Sequence, residues 1–365
     1  MRFKFRSIMN YYSKEELITA IKNCTDYVEL SLKNESSAII SEFGGRVLGI
    51  FPKEDCYNLL WVSTDVNKLI KNRDRAIGGD RYWISPERDY FYKNPEKWEE
   101  WTCQEALDPA NYEILARSTK ITTVSTNASV INYKTKKTYT GEIARQFAAI
   151  KEPFPTGVAY CGIELVDDCV FNAPDLKING WSLGCVISGG VKNPGTVLIP
   201  TKKDPKPLSY FRIIPKDRLT IGDNYVAYKI DVDDIYKLTI RPEDMDFNKK
   251  AKIGYVLKIP DTEEYGFLVK LSDDVPKSQV DCFDVARDHP NSEIGVIQSY
   301  NSASPNKPLL RFGEIELQLN KFETIDDTSH GKAKHQLFGY MGTKDEIFKV
   351  IEKYLGIKNP KLFGK

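Results

Sequence analysis

Arg81 and Trp83 stand two residues apart in Gly78-Gly-Asp-Arg-Tyr-Trp-Ile-Ser-Pro-Glu87. On an extended chain that spacing puts both side chains on one face, with Asp80, Tyr82 and Ile84 on the other. A flat indole beside a forked guanidinium suits a sugar ring: apolar surface for its C–H face and donors for its hydroxyls. The plainer alternative makes Trp83 part of the core. Even then Arg81 wants a partner, such as Glu87, another carboxylate or a ligand, because an unpaired buried charge is costly. The segment Arg311–Lys321 alternates as cleanly, with Ile315, Leu317 and Leu319 facing one way and Glu314, Glu316, Gln318 and Asn320 the other. That polar face either meets solvent or lines a cleft, and in a cleft one of its carboxylates becomes a general-base candidate.

Asp89–Trp101 holds five aromatic residues among thirteen with no strand or helix period. It is either a structural flap over the fold or a loop overhanging a binding site, and in the second case Trp98 and Trp101 offer stacking surfaces. The three histidines are His289, His330 and His335. His289 precedes a proline and reads as a surface residue, whereas His335 follows the polar-faced strand and is a candidate acid for the same cleft. No Gly-x-Ser-x-Gly elbow, Walker loop or Gly-x-Gly-x-x-Gly occurs, which argues against common hydrolase, NTPase and dinucleotide chemistries.

The elements that must position these residues are mostly strands. Ser13-Lys-Glu-Glu16 is a capping box that predicts a short helix to about Cys24. From Tyr27 the period is two, with strands predicted at Tyr27–Leu32, Ser37–Phe43, Arg46–Phe51, Asn58–Val62, Ser118–Tyr133, Gly157–Phe171, Trp181–Ser188 and Arg311–Lys321, among others. Gly44-Gly45, Asn179-Gly180 and Ser304-Pro-Asn306 are predicted turns. Thr343-Lys-Asp-Glu346 opens a second helix, with Ile347, Val350, Ile351 and Leu355 in one stripe and Gly356 at its stop. Without strand–helix alternation, the fold class is all-β: a large antiparallel β-supersandwich with short N- and C-terminal helices. The expected organisation is a helical extension over 1–26, the sandwich over 27–342, and a C-terminal helix and tail over 343–365. A split into two β domains near Lys151-Glu-Pro-Phe-Pro155 is the competing arrangement.

Composition narrows the partners. Lys and Arg (52) cancel Asp and Glu (51), so no long-range field recruits nucleic acid or an anionic membrane. Apolar runs are strand-sized, well short of a membrane helix. Met1-Arg-Phe-Lys-Phe-Arg6 leads into a polar stretch and does not read as a signal peptide. The seven cysteines lack Cys-x-x-Cys spacing and read as free thiols in a reducing compartment, so a cytoplasmic location is expected. No histidine sits at ligand spacing from a cysteine pair, and no metal site is expected.

Several segments together resemble the galactose mutarotase-like superfamily, which includes aldose 1-epimerases. They are Phe43-Gly-Gly-Arg-Val-Leu-Gly-Ile-Phe51 with Asn58-Leu-Leu-Trp61, then Gly78–Glu87, then Trp181-Ser-Leu-Gly184 before Gly189-Gly190, and last Gly313-Glu-Ile-Glu316. The resemblance implies a supersandwich that opens a sugar ring without a cofactor, a carboxylate deprotonating the anomeric hydroxyl while a histidine protonates the ring oxygen. It puts Glu316 where the base belongs and Arg81 where a substrate-gripping arginine belongs, with Arg46 second to it, and expects the catalytic histidine near Trp181. With the residue reading, this gives Glu316 and His335 as catalytic candidates. Arg46, Arg81, Trp83, Glu87, Trp181 and Gln318 are the candidates for binding a sugar or sugar phosphate. The chain departs from the family pattern in having no histidine near Trp181. Either His335, Asp80 or Glu87 substitutes, or the protein binds sugar without epimerising it; a lyase or glycosidase using two carboxylates is a third possibility.

Overall fold

The period-two pattern resolves into antiparallel strands in the computed structural model, which describes residues 11–32, 35–283, 293–303 and 310–364. Met1–Arg6, His289 and the Ser304-Pro-Asn306 turn lie outside the described residues. Among the described residues, nine strands form one sheet. Their order is Tyr27–Ser31, Ser37–Ser41, Arg46–Phe51, Asp80–Ser85, Asn179–Val186, Gly313–Lys321, Ile297–Asn301, Tyr236–Ile240 and Leu208–Ser209. Eleven more, also among the described residues, form a second sheet centred on Glu264–Ser272, Thr328–Thr343, Ala159–Phe171 and Lys137–Ala149. Apolar residues from both, such as Ile315, Leu317, Ile163 and Leu165, meet in one shared core. The protein is thus an all-β sandwich with few short helices.

Both capping boxes form. Ser13 and Glu16 close the start of helix Lys14–Ile21, and Thr343 and Glu346 close the start of helix Lys344–Leu355. The latter helix lays Ile347, Val350, Ile351 and Tyr354 on the outer face of the second sheet, against Phe267, Val269, Phe338 and Tyr340. Gly356 ends it with φ +70°, the left-handed conformation that a side chain resists.

Three expectations are corrected. Asn58–Val62 is not a strand, because the Asn58 amide replaces a ladder: its Oδ1 accepts from the Ile50 and Leu60 N–H groups, each at 3.0 Å, and its Nδ2 donates to the Leu48 carbonyl at 2.7 Å. Asn179-Gly180 is not a turn but the start of strand Asn179–Val186, where the register shifts against Gly313–Lys321. Lys137–Ala149 and Thr328–Thr343, both outside the predicted set, are long central strands. Lys137–Ala149 pairs directly with Ala159–Phe171, so the Lys151–Pro155 segment joins neighbours in one sheet.

Those two strands escape the sequence pattern because their inward positions hold polar groups. Arg145 donates to Asp167 at 2.6 Å and to the Gly45 carbonyl at 2.7 Å, and the His335 ring meets the other Asp167 oxygen at 2.7 Å. Lys270 pairs with Asp80 and donates to the Ser182 hydroxyl at 2.6 Å. The charged side chains of this cluster are fully buried between the sheets. Burial alone would raise the Asp167 carboxyl, but Arg145 and His335 outweigh it and hold it down at about 2.

Candidate functional site

The face of the first sheet turned away from this core carries the site. Strand Asp80–Ser85 pairs with Asn179–Val186 so that Trp83 lies opposite Trp181 and Arg81 opposite Leu183. Asn179–Val186 pairs in turn with Gly313–Lys321, bringing Leu183 beside Glu316 and Cys185 beside Glu314. Alternation then sends Arg81, Trp83, Trp181, Cys185, Glu314 and Glu316 to one side, while Asp80 and Ser182 go to the buried ionic cluster. Two glycines make the approach possible. Gly78 (φ +92°) and Gly79 (φ +78°) sit where a Cβ would meet the Trp61 carbonyl at 2.2 Å and the Val47 carbonyl at 2.5 Å.

A cavity of about 370 Å³ opens on this face, walled by Trp61, Trp83, Trp101 and Trp181 with Phe211, Tyr300 and Phe312. Its charged lining comprises Arg46, Arg75, Arg81, Lys237, Glu87 and Glu314. Arg81 donates to Glu314 at 2.6 Å and to the Cys185 sulfur at 3.2 Å, and its guanidinium lies 4.4 Å from the Trp83 ring centre. Burial opposes the Arg81 charge, but Glu314, Cys185 and Asp108 together raise its pKa. Asp108 ties the floor together: it pairs with Arg46 and accepts from the Trp83 indole at 3.0 Å. Arg46 also donates to the Gly78 carbonyl at 2.7 Å, which fixes the Gly78 turn to the sheet.

The second charged pair lies beside the first. Lys237, from strand Tyr236–Ile240, stands 3.2 Å from Glu316 and 4.4 Å from the Trp181 ring centre. The Trp181 indole donates to the same Glu316 oxygen at 2.9 Å, while the other oxygen, Oε1, has no hydrogen-bond partner among the described residues. Burial pushes the Glu316 carboxyl up to about 7; Lys237 opposes the rise, and Glu314 and Glu87 add to it.

Of the predicted residues, the cavity lining unites Arg46, Arg81, Trp83, Glu87 and Trp181. Glu316 does not line it, being fully buried behind Lys237 and Trp181; Glu314, two residues earlier on the same face, does. Gln318 does not line it either, being buried and accepting from the Ser85 hydroxyl at 2.7 Å. His335 is on the second sheet, buried against Asp167 in the inter-sheet cluster and away from the cavity, because the strand carrying it pairs with Ala159–Phe171. Asp80 likewise faces Lys270 rather than the cavity. From the aromatic loop, Trp101 forms part of the wall, stacking on Phe91 and donating to Glu87 at 2.9 Å, whereas Trp98 packs on Tyr92. Lys237 and Asp108 carry no signal in the sequence, whereas Arg75 can be counted with Arg73 and Arg81 as a basic cluster for a phosphosugar, of which Arg75 and Arg81 line the cavity and Arg73 does not. Lys237 sits in the strand Tyr236–Ile240, where the sequence shows one lysine that looks like any solvated position.

Residues 12–153 match a family model described as a family of unknown function (DUF6786). No curated protein matches the chain. Among solved structures, a GalM/aldose epimerase homologue from C. elegans is 10% identical with a TM-score of 0.42, covering 87% of this chain and 99% of that one. A 4-alpha-glucanotransferase from Thermococcus litoralis is 7% identical with a TM-score of 0.35, over 87% of this chain and 37% of that one. A TPR-domain containing protein from Parabacteroides distasonis is 12% identical with a TM-score of 0.35, over 84% and 45%. No helix among the described residues is long and apolar enough to cross a membrane.

Proposed function

We propose that this protein binds a sugar ring in the tryptophan-walled cavity and interconverts its anomers by proton transfer between paired side chains. One observation carries the reading: a guanidinium–carboxylate pair, Arg81–Glu314, and an ammonium–carboxylate pair, Lys237–Glu316, share a wall with Trp83 and Trp181. Indole faces match the C–H face of a pyranose, and charged donors and acceptors match its hydroxyls. In this scheme Glu314 takes the proton of the anomeric hydroxyl, and Lys237, backed by Glu316, gives one to the ring oxygen. The ring C–O bond breaks to leave an aldehyde, which rotates and recloses with the protons returned. Glu316 keeps its place in the machinery as the group that positions Lys237. Direct hydrogen bonding between the strands of Arg81, Trp181 and Glu314 supports the sandwich arrangement that the galactose mutarotase-like resemblance implies. We read 27–342 as one sandwich unit, and the seven free cysteines support a reducing, cytoplasmic setting.

A second reading, a sugar-binding or sensing protein without catalysis, is favoured by the absence of histidine from the cavity lining among the described residues. NMR exchange spectroscopy with a panel of aldoses separates the two. The enzyme reading expects faster anomer exchange for at least one sugar, slowed about 100-fold or more in Glu314→Gln, the scale of a lost acid–base group. Binding of that sugar with wild type and variant both at the uncatalysed rate sinks the enzyme reading and leaves the binding one.

A further inference from the structure

We infer that the cavity is built for an acidic sugar, one bearing a carboxylate or phosphate, with Arg75 as the residue that selects the anion; this rests on the sugar-binding reading above. On the cavity floor every cation is matched: Arg46 with Asp108, Arg81 with Glu314, and Lys237 with Glu316. A floor so balanced suits the uncharged part of a ring. Arg75 differs. It is half-buried in the wall, with its guanidinium 4.6 Å from the Trp101 ring centre and 5.7 Å from that of Trp83. Among the described residues no carboxylate lies within ion-pair distance of it, and its guanidinium makes no hydrogen bond. Its backbone carbonyl accepts from Arg46 at 2.9 Å and from the Ile77 N–H at 2.8 Å.

Glu87 shares this part of the wall and would repel an anion. Its Oε1, however, accepts from the Trp101 indole, which sets that carboxylate against the tryptophan rather than against Arg75. Arg73, a neighbour in sequence, does not join the site: it donates to Glu105, Asn111 and the Ala110 carbonyl. The unmatched charge is therefore confined to one guanidinium, held by two aromatic rings with its N–H groups uncommitted. That is the fork that recognises a carboxylate or phosphate in two parallel hydrogen bonds. The distance from the Trp181 wall to the Trp101 wall then separates the two jobs, ring on the floor and anion at Arg75.

Calorimetric titration of the full chain with matched sets decides it: galactose, galacturonate and galactose 6-phosphate, and the same three forms of glucose. The expected result is that one anionic form binds about tenfold or more tighter than its neutral parent, the scale of a charge-assisted contact. The advantage shrinks with added salt, falls to near parity in Arg75→Gln, and partly returns in Arg75→Lys. Uronate and phosphate arms identify which anion is meant. Equal affinity of neutral and anionic forms in wild type overturns the inference while leaving sugar binding intact, as does an anionic advantage that survives in Arg75→Gln. No binding of any sugar overturns both. The salt dependence of wild type tests the charge without relying on a variant that folds.

Discussion

At the scale of single residues, the instructive group is Glu316. Its carboxyl is raised from 4.5 to about 7 by burial, so folding favours the protonated form. The sign follows from proton uptake: between those two values the folded chain holds a proton the unfolded chain has lost. The stabilisation is therefore complete below the unfolded value and disappears as pH climbs through 7. Glu316→Gln, which keeps an oxygen for Lys237 and Trp181 but never ionises, removes this dependence. Urea denaturation at about pH 5 and about pH 8 should show wild type losing on the order of 2 kcal/mol relative to the variant. Parallel profiles for the two proteins would mean that Glu316 is ionised throughout and that Lys237 governs its state. Trp181→Phe gives an independent reading, since it deletes the indole donor to Glu316 while preserving most of the packing.

At the scale of elements, the approach of strand Asp80–Ser85 to its neighbours depends on Gly78, whose backbone turns in a region that costs other residues dearly. Gly78→Ala combines left-handed strain with a steric conflict at the Trp61 carbonyl, and should destabilise the protein by about 2 kcal/mol or more. Because Arg46 is held by the Gly78 carbonyl, sugar titrations of that variant should also weaken. A thermal melt unchanged from wild type would show that the turn can relax. The same element shows what the amino-acid order reveals. Arg81, Trp83 and Glu314 are legible as a face because their neighbours alternate cleanly, and both helices are legible because side chains cap them. Lys137–Ala149 and Thr328–Thr343 are not, since Arg145 and His335 occupy inward positions where an apolar residue would be expected. Nor does alternation say how deep a face lies. Glu314 and Glu316 read alike, and only Trp181 and Lys237, which cover Glu316, put one in the cavity and the other behind it.

At the scale of the whole molecule, two charged layers lie on opposite sides of one sheet: the cavity pairs on its outer face and the Asp80–Lys270–Arg145–Asp167–His335 cluster within the sandwich. The inner cluster bolts the sheets together with hydrogen bonds rather than with apolar packing. Asp167→Asn leaves Arg145 without its charge partner in a fully buried place, and a loss of about 3–5 kcal/mol is expected in denaturant unfolding. Asp167 is held at about 2, so its contribution is present above its ordinary value and fades only as pH falls toward 2. A mild effect, under about 1 kcal/mol, would mean that water reaches Arg145 when Asp167 is neutralised.

Strand Asp80–Ser85 belongs to both layers at once, sending Asp80 inward to Lys270 and Arg81 outward to Glu314. Sliding it by one position would aim an aspartate at the glutamate and an arginine at the lysine, so electrostatics proofreads the pairing where greasy contacts alone would tolerate a shift. A misaligned chain pays on both faces simultaneously. The very residues proposed to grip a guest thus double as a key that lets this strand settle in one alignment.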